Sequence, residues 1–165
     1  MKPAPTPAKT VAFWLTVPPG WSDATSNASV IAAVRPDGNL LMLLRGPEPT
    51  PAVRGVSDVT PIVVVTELRQ PLAASQVDTY LQSVKAAGAS DISTPMPTTV
   101  SGGAATAITY QSTLDGTAVQ TKDVVVAHGG AMYEIELITS RSQFSAQSQL
   151  FDQLLSRDWE WVTAD

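Results

Sequence analysis

The chain has 165 residues, a net charge of −5 and no cysteine, and only 15% of its residues are charged against a usual share of about 25%. Its apolar fraction of 44% predicts a folded protein with a sizeable core. This composition excludes disulfides, thiol nucleophiles and thiolate metal sites, and without any block of Lys or Arg it does not favour nucleic-acid binding.

The first ten residues, MKPAPTPAKT, lack the apolar segment of a signal peptide. Their Pro, Ala and Thr content is typical of an extended tether. We therefore expect residues 1–10 to be a Pro/Ala/Thr-rich tether and residues 11–165 to form a single α+β domain. Such a tether also indicates that an export signal or lipid anchor has been removed, and the alternative is a frayed native N-terminus.

The first half of the domain is predicted to form strands. The opening run, VAFWLTV, alternates with period two and ends at two prolines, which cannot donate to a strand ladder. PIVVVTEL is apolar on both faces, which predicts a central, covered strand. The four predicted strands here are residues 11–17, 29–35, 40–45 and 61–68, and residues 46–58 are predicted to be a long polar loop.

Two amphipathic helices are predicted. In residues 75–88, Val77, Tyr80, Leu81 and Val84 recur with helical spacing. A second helix follows residue 140, and a short extended tail then carries Trp159 and Trp161.

Residues 104–139 show the clearest pattern, three strands joined by Asp115-Gly116 and Gly129-Gly130, which predicts an antiparallel meander. In its last strand apolar residues alternate with Glu134 and Glu136, so we expect the glutamates on a solvated face. The fold class is therefore α+β, a mainly antiparallel β-sheet with two main helices packed on its faces.

The sequence offers little catalytic chemistry. The single histidine, His128, lies at a tight turn and is interpreted as part of that turn, and one histidine without cysteine does not favour a zinc site. Glycine-rich phosphate-binding motifs are absent. Glu134 and Glu136 lie roughly 7 Å apart along a strand, which suits two-carboxylate catalysis, but a solvated strand face is the favoured interpretation. We therefore assign no catalytic, cofactor-binding or metal-binding residue.

Two groups of residues are candidates for binding a partner. Charged residues bracket the proline-rich loop, where they either present a binding surface or pair with one another. The two tail tryptophans either form an aromatic contact or, for at least one of them, pack over the end of the sheet. The candidates are Arg45, Glu48, Arg54, Asp58, Trp159 and Trp161.

The order and spacing of three short motifs resemble the PsbP-like fold and, within it, the actinobacterial LpqN/LpqT-type probable lipoprotein family. They are the corner at Pro18–Trp21, the step at Gly103–Ala105 and the strand at Tyr133–Ile135, in a pattern that spans residues 11–156. The chain departs from the family in having no lipobox cysteine, and its loop at 46–60 matches no family motif.

The resemblance implies an antiparallel sheet with helices on its faces and an exported or lipid-anchored cell-envelope location, with any membrane contact made only through an anchor that this chain lacks. It also implies a non-catalytic binding module without a cofactor, whose partner is an envelope protein or a lipid or glycan ligand. Two alternatives remain open, a homodimeric structural protein of the envelope and a hydrolase that uses Glu134 and Glu136.

Overall fold

The computed structural model describes residues 6–10, 12–34, 36, 38–49 and 59–162. Within these residues a seven-stranded sheet has the order β3-β4-β5-β9-β8-β7-β6, and a smaller sheet has the order β1-β2-β10. Every strand pair in both sheets is antiparallel. The strands are β1 (Thr6–Lys9), β2 (Phe13–Val17), β3 (Ser22–Asp23), β4 (Asn39–Arg45), β5 (Ile62–Glu67), β6 (Met96–Val100), β7 (Gly103–Leu114), β8 (Thr117–His128), β9 (Ala131–Thr139) and β10 (Trp159–Trp161).

Helical segments cover the large sheet. They are α1 (Ala28–Val34), α2 (Ala74–Thr79), a π-helix (Tyr80–Lys85) that continues α2, a 3-10 turn (Arg141–Gln143) and α3 (Phe144–Ser156). Among the described residues, no helix combines the length and the apolar character needed to cross a bilayer.

The predicted meander is confirmed by β7, β8 and β9, which pair in sequence order. Its first turn places Asp115 and Gly116 at φ values of 48° and 79°, the left-handed region that Asp tolerates and Gly adopts freely. The central position of β5 is also confirmed, because β5 pairs with β4 on one side and with β9 on the other.

The central strand β5 of the large sheet is buried on both faces. Alternate residues of β5 show this, because Val63 and Val65 join the core under α3 and the small sheet, whereas Ile62 and Val64 join apolar residues on the opposite face. That opposite face is covered by α1 at one end, and the segment of α2 with the π-helix packs on a separate apolar cluster. The central strands β5 and β9 are therefore almost entirely buried.

The strand predicted at 29–35 is wrong, because residues 28–34 form α1. The side chain of Asn27 begins this helix, with its Oδ1 accepting a hydrogen bond of 3.2 Å from the backbone N–H of Val30. Val30, Ile31 and Val34 then lie on one helical face and pack on the sheet. In so short an apolar run the helical and strand patterns are hard to distinguish.

Part of the predicted tether is also wrong. Residues 6–9 form β1, which pairs with β2 along its length, from Thr6 opposite Val17 to Lys9 opposite Trp14. Pro7 lies in this strand, and an edge strand accepts proline because one side of its backbone needs no ladder hydrogen bonds. The predicted boundary at residue 10 therefore does not separate a tether from the fold.

We expect Asn27→Ala to lower the free energy of unfolding by about 1 kcal/mol, because the substitution removes the side-chain cap of α1. Asn27→Ser is the matched control, since serine also caps helices, and it should retain most of the stability. Urea denaturation measures both variants. Equal stability of Asn27→Ala and the wild type would contradict the role given to this cap.

Candidate ligand site

Five polar side chains meet beneath the π-helix, and we call them the charged cluster: Tyr80, Lys85, Asp123, Glu134 and Glu136. Asp123 and Glu134 are fully buried, and Glu136 is 9% exposed. Buried carboxyl groups are uncommon because burial disfavours their charge, so this cluster differs from an ordinary core.

The strand register brings the three carboxyl groups together. Glu134 and Glu136 are two residues apart on β9 and share one face, and Asp123 on β8 lies directly opposite Glu136. The prediction of a solvated face for these glutamates is wrong. The face is covered because β9 lies inside the sheet, between β5 and β8, and the π-helix packs above it.

The π-helix supplies the partners of the carboxyl groups. Its widened turn is shown by the backbone N–H of Ala86, which donates to the carbonyl oxygen of Leu81, five residues earlier, at 3.0 Å. With this geometry the side chains of Tyr80 and Lys85, at the two ends of the segment, both contact Glu134. Such π-helical turns are frequent at functional sites.

Glu134 is held from two sides. The hydroxyl of Tyr80 donates to its Oε2 at 2.5 Å, and the Nζ of Lys85 lies 3.1 Å from its Oε1. The same Nζ lies 2.9 Å from Oε1 of Glu136. One ammonium group therefore bridges two glutamates.

The carboxyl groups differ in protonation. Burial raises the pKa of Glu136 to about 8, with a further contribution from the charge of Glu134. Burial and the same neighbouring charge raise the pKa of Asp123 well above its usual value. Burial also disfavours ionised Glu134, but its hydrogen bond with Asp123 and the charge of Lys85 outweigh burial and lower its pKa. At neutral pH the cluster then holds ionised Glu134, charged Lys85 and a mostly protonated Glu136, and the raised pKa of Asp123 favours its protonated form as well.

Removing the Tyr80 hydroxyl tests the hydrogen bond to Glu134. We expect Tyr80→Phe to lower the free energy of unfolding by about 2 kcal/mol, the range for a hydrogen bond to a charged group. Tyr110→Phe is the control, because Tyr110 is buried beside the cluster and its hydroxyl bonds to no other described residue in the structure. Chemical denaturation measures both, and an equal loss in the two variants would contradict this assignment.

The cluster opens onto a cleft of about 530 Å³ above the sheet. Lys85 and Glu136 reach its inner wall, and Arg141 lies along it. The rest of the wall is rich in hydroxyl and amide groups, which offer both hydrogen-bond donors and acceptors. These groups belong to Ser90, Tyr110, Gln111, Ser112, Thr113 and Thr121.

The predicted partner-binding loop lies elsewhere. Arg45 and Glu48 form an ion pair of 3.9 Å, and their side chains are 42% and 84% exposed. Arg54 and Asp58 lie outside the described residues. Neither Arg45 nor Glu48 lines the cleft. Partner binding by the proline-rich loop therefore stays a prediction that is separate from the cleft.

The tail tryptophans pack against the protein. Trp159 is 3% exposed and stacks on Phe13 with ring centroids 4.1 Å apart, so it offers no surface to a partner. Trp161 is half-buried and stacks on His128 at 4.2 Å. The structure therefore gives His128 a packing contact at the end of the β8–β9 hairpin.

No protein-family model matches the chain, and no curated protein matches it. Several solved structures, however, are similar to the chain. The PsbP of the cyanobacterium Synechocystis sp. PCC 6803 (CyanoP) is similar with a TM-score of 0.61 and 11% identity, over 96% of this chain and 93% of that one. LpqN of Mycobacterium tuberculosis, described as involved in cell envelope biogenesis, is similar with a TM-score of 0.55 and 14% identity, over 96% and 86%.

A third structure, a putative regulator of unknown function from Pseudomonas aeruginosa, is similar with a TM-score of 0.52 and 14% identity, over 99% of both chains. At these identities the similarity defines the fold. The chain has a PsbP-like α+β fold, as the sequence motifs predict.

Proposed function

We propose that the protein is a non-catalytic binding module of the cell envelope and that its ligand site is the cleft above the charged cluster. The observation that carries the proposal is the cleft itself, whose volume of about 530 Å³ is within the usual range of about 300–1,000 Å³ for small-molecule sites. Charged groups with shifted pKa values at its inner wall also favour a functional site.

The lining favours a polar ligand over a lipid tail. Hydroxyl and amide groups surround the cleft, and Arg141 adds a positive charge. A glycan fragment or a polar headgroup offers matching hydroxyl groups, and burying them unpaired against an apolar wall would be unfavourable. Of the ligands implied by the family resemblance, a small saccharide of the envelope fits this wall best.

The cluster favours binding over hydrolysis. Both oxygens of Glu134 are engaged, one by Tyr80 and one by Lys85, and the residue is fully buried. A two-carboxylate hydrolase needs both groups at the scissile bond, and here only Glu136 reaches the cleft. The structural similarity to LpqN, described as involved in cell envelope biogenesis, supports the envelope location.

Ligand screening by NMR tests the proposal. We expect envelope saccharide fragments to shift backbone amide signals of residues around the cleft, such as Ser90 and Ser112, in a saturable way. Ser112→Trp should abolish these shifts, because its indole would fill the cleft. The matched control is Ala118→Trp on the neighbouring strand, which is exposed and lies outside the cleft lining.

The screen should include polar lipid headgroups and polyols beside the saccharides. Saturable shifts elsewhere on the protein that survive Ser112→Trp would overturn the assignment of the site. No saturable shift with any compound would count against the binding function.

A further inference from the structure

Two hydroxyl groups in the wall of the cleft have no partner among the described residues. Tyr110 and Thr121 both line the cleft and are only 6% and 3% exposed. Neither hydroxyl forms a hydrogen bond with a described residue, and neither oxygen is completely enclosed, so both open onto the cleft. Because buried polar groups are normally hydrogen-bonded, these two are available to a ligand.

The strand register places these two side chains on the same face of the large sheet. Tyr110 on β7 is directly opposite Thr121 on β8, and Thr121 is directly opposite Ile138 on β9. Residues opposite one another on neighbouring strands lie on one face, so both hydroxyl groups can contact one ligand beside the apolar surface of Ile138. Hydroxyl groups next to an apolar surface suit a saccharide ring, which has hydroxyl groups at its edge and C–H groups on its face.

Arg141 adds a positive charge to the same cleft. It lies two residues beyond the end of β9, lines the cleft and is exposed. Among the described residues it forms no ion pair, whereas Lys85, the other cation of the lining, contacts Glu134 and Glu136. A guanidinium group binds a carboxylate or a phosphate through two parallel hydrogen bonds. An anionic group on the ligand would therefore give Arg141 a partner.

We propose that the ligand of the cleft is an acidic saccharide, whose carboxylate or phosphate group binds Arg141 and whose hydroxyl groups bind Tyr110 and Thr121. This inference rests on the proposed function, because it names the ligand class of the same cleft. It adds the requirement of a negative charge, since a neutral sugar leaves the guanidinium group without a counter-charge.

The affinities of glucose, glucuronic acid and glucose 6-phosphate test the charge requirement. Saturable shifts of backbone amide signals around the cleft give each dissociation constant, at about 20 mM NaCl because salt screens exposed charges. We expect at least one of the two acidic sugars to bind about tenfold more tightly than glucose, the range for a hydrogen bond to a charged group. The tighter of the two identifies the anionic group as a carboxylate or a phosphate.

Arg141→Gln should remove the preference for the acidic sugar and leave the affinity for glucose nearly unchanged. Arg157→Gln is the matched control, because this arginine is also exposed but lies outside the cleft lining, and it should retain the preference. Equal affinity for glucose and both acids in the wild type, or a preference that survives Arg141→Gln, would overturn the inference and leave the cleft as a site for neutral sugars.

Tyr110→Phe and Thr121→Val test the two hydroxyl groups. Each should weaken binding of the acidic sugar about threefold, because a hydrogen bond to the ligand is lost. Each should also retain the stability of the wild type in urea denaturation, because no hydrogen bond to a described residue is removed.

Wild-type affinity in both of these variants would overturn the assignment of the hydroxyl groups. If none of the three sugars binds in the cleft, the inference of an acidic saccharide is wrong. The proposed function fails only if the wider ligand screen is silent as well, so the two failures are distinguishable.

Discussion

Replacing Lys85 with methionine is expected to lower the free energy of unfolding by about 3–5 kcal/mol at pH 7. The ammonium group is the only cation within 4 Å of Glu134 and Glu136 among the described residues, and its removal leaves an ionised glutamate buried without a counter-charge. Breaking a buried ion pair from one side typically has this effect, because the remaining charge stays desolvated. Denaturant unfolding monitored by tryptophan fluorescence measures the loss.

Lys122→Met is the matched control, with the same substitution in a different ion pair. Lys122 lies 2.8 Å from Asp152, whose side chain is 55% exposed, so water replaces the lost partner and a loss of at most about 1 kcal/mol is expected. Equal losses in the two variants would contradict the buried ion pair.

Stability is expected to fall as the pH rises, by about 1.4 kcal/mol per pH unit for one proton between about pH 5 and pH 8. Burial raises the pKa of Glu136 from 4.5 to about 8, so the folded state binds a proton that the unfolded state has released. The stabilisation is complete below the unfolded pKa and is lost as the pH approaches the folded pKa. Asp123, whose pKa burial also raises, acts in the same direction.

Below about pH 4.5 the stability changes with pH in the opposite direction and falls as the pH is lowered. The pKa of Glu134 lies below its usual value, so its contribution is present above about pH 4.5 and is lost on further acidification. Stability should therefore be greatest near pH 5. Urea denaturation across this pH range measures the profile, and Glu136→Gln, a neutral isostere, should flatten its alkaline limb. A stability that is constant or increases from pH 5 to pH 8 would contradict the buried, protonated carboxyl groups.

The meander and the fold were predictable because their signals are local. Asp115-Gly116 and Gly129-Gly130 are turn sequences flanked by alternating strands, so neighbouring residues alone define the hairpins. The three motifs of the PsbP-like fold are local in the same way. Residues 28–34 show the limit of such signals, because their apolar run fits both a helix and a strand, and the helix is stabilised by the Asn27 cap and by packing on the sheet.

The candidate site was not predictable from the same signals. The alternation in β9 marks Glu134 and Glu136 as facing away from one core, but it does not reveal that α2 and the π-helix cover the second face. Lys85 lies about fifty residues before the glutamates in the chain, and the α-helical period does not place it beside Tyr80. The pairing of Asp123 with Glu136 depends on the strand register. The one usable clue to the site in the sequence is that this register places three acidic residues on one face of a predicted hairpin.

A pH titration of the Glu136 side-chain carboxyl carbon by ¹³C NMR tests the buried charged cluster most directly. The structure predicts a midpoint near 8, because the group is buried beside ionised Glu134. A midpoint near the ordinary value of 4.5 would show a solvated glutamate and would contradict the account of the cluster.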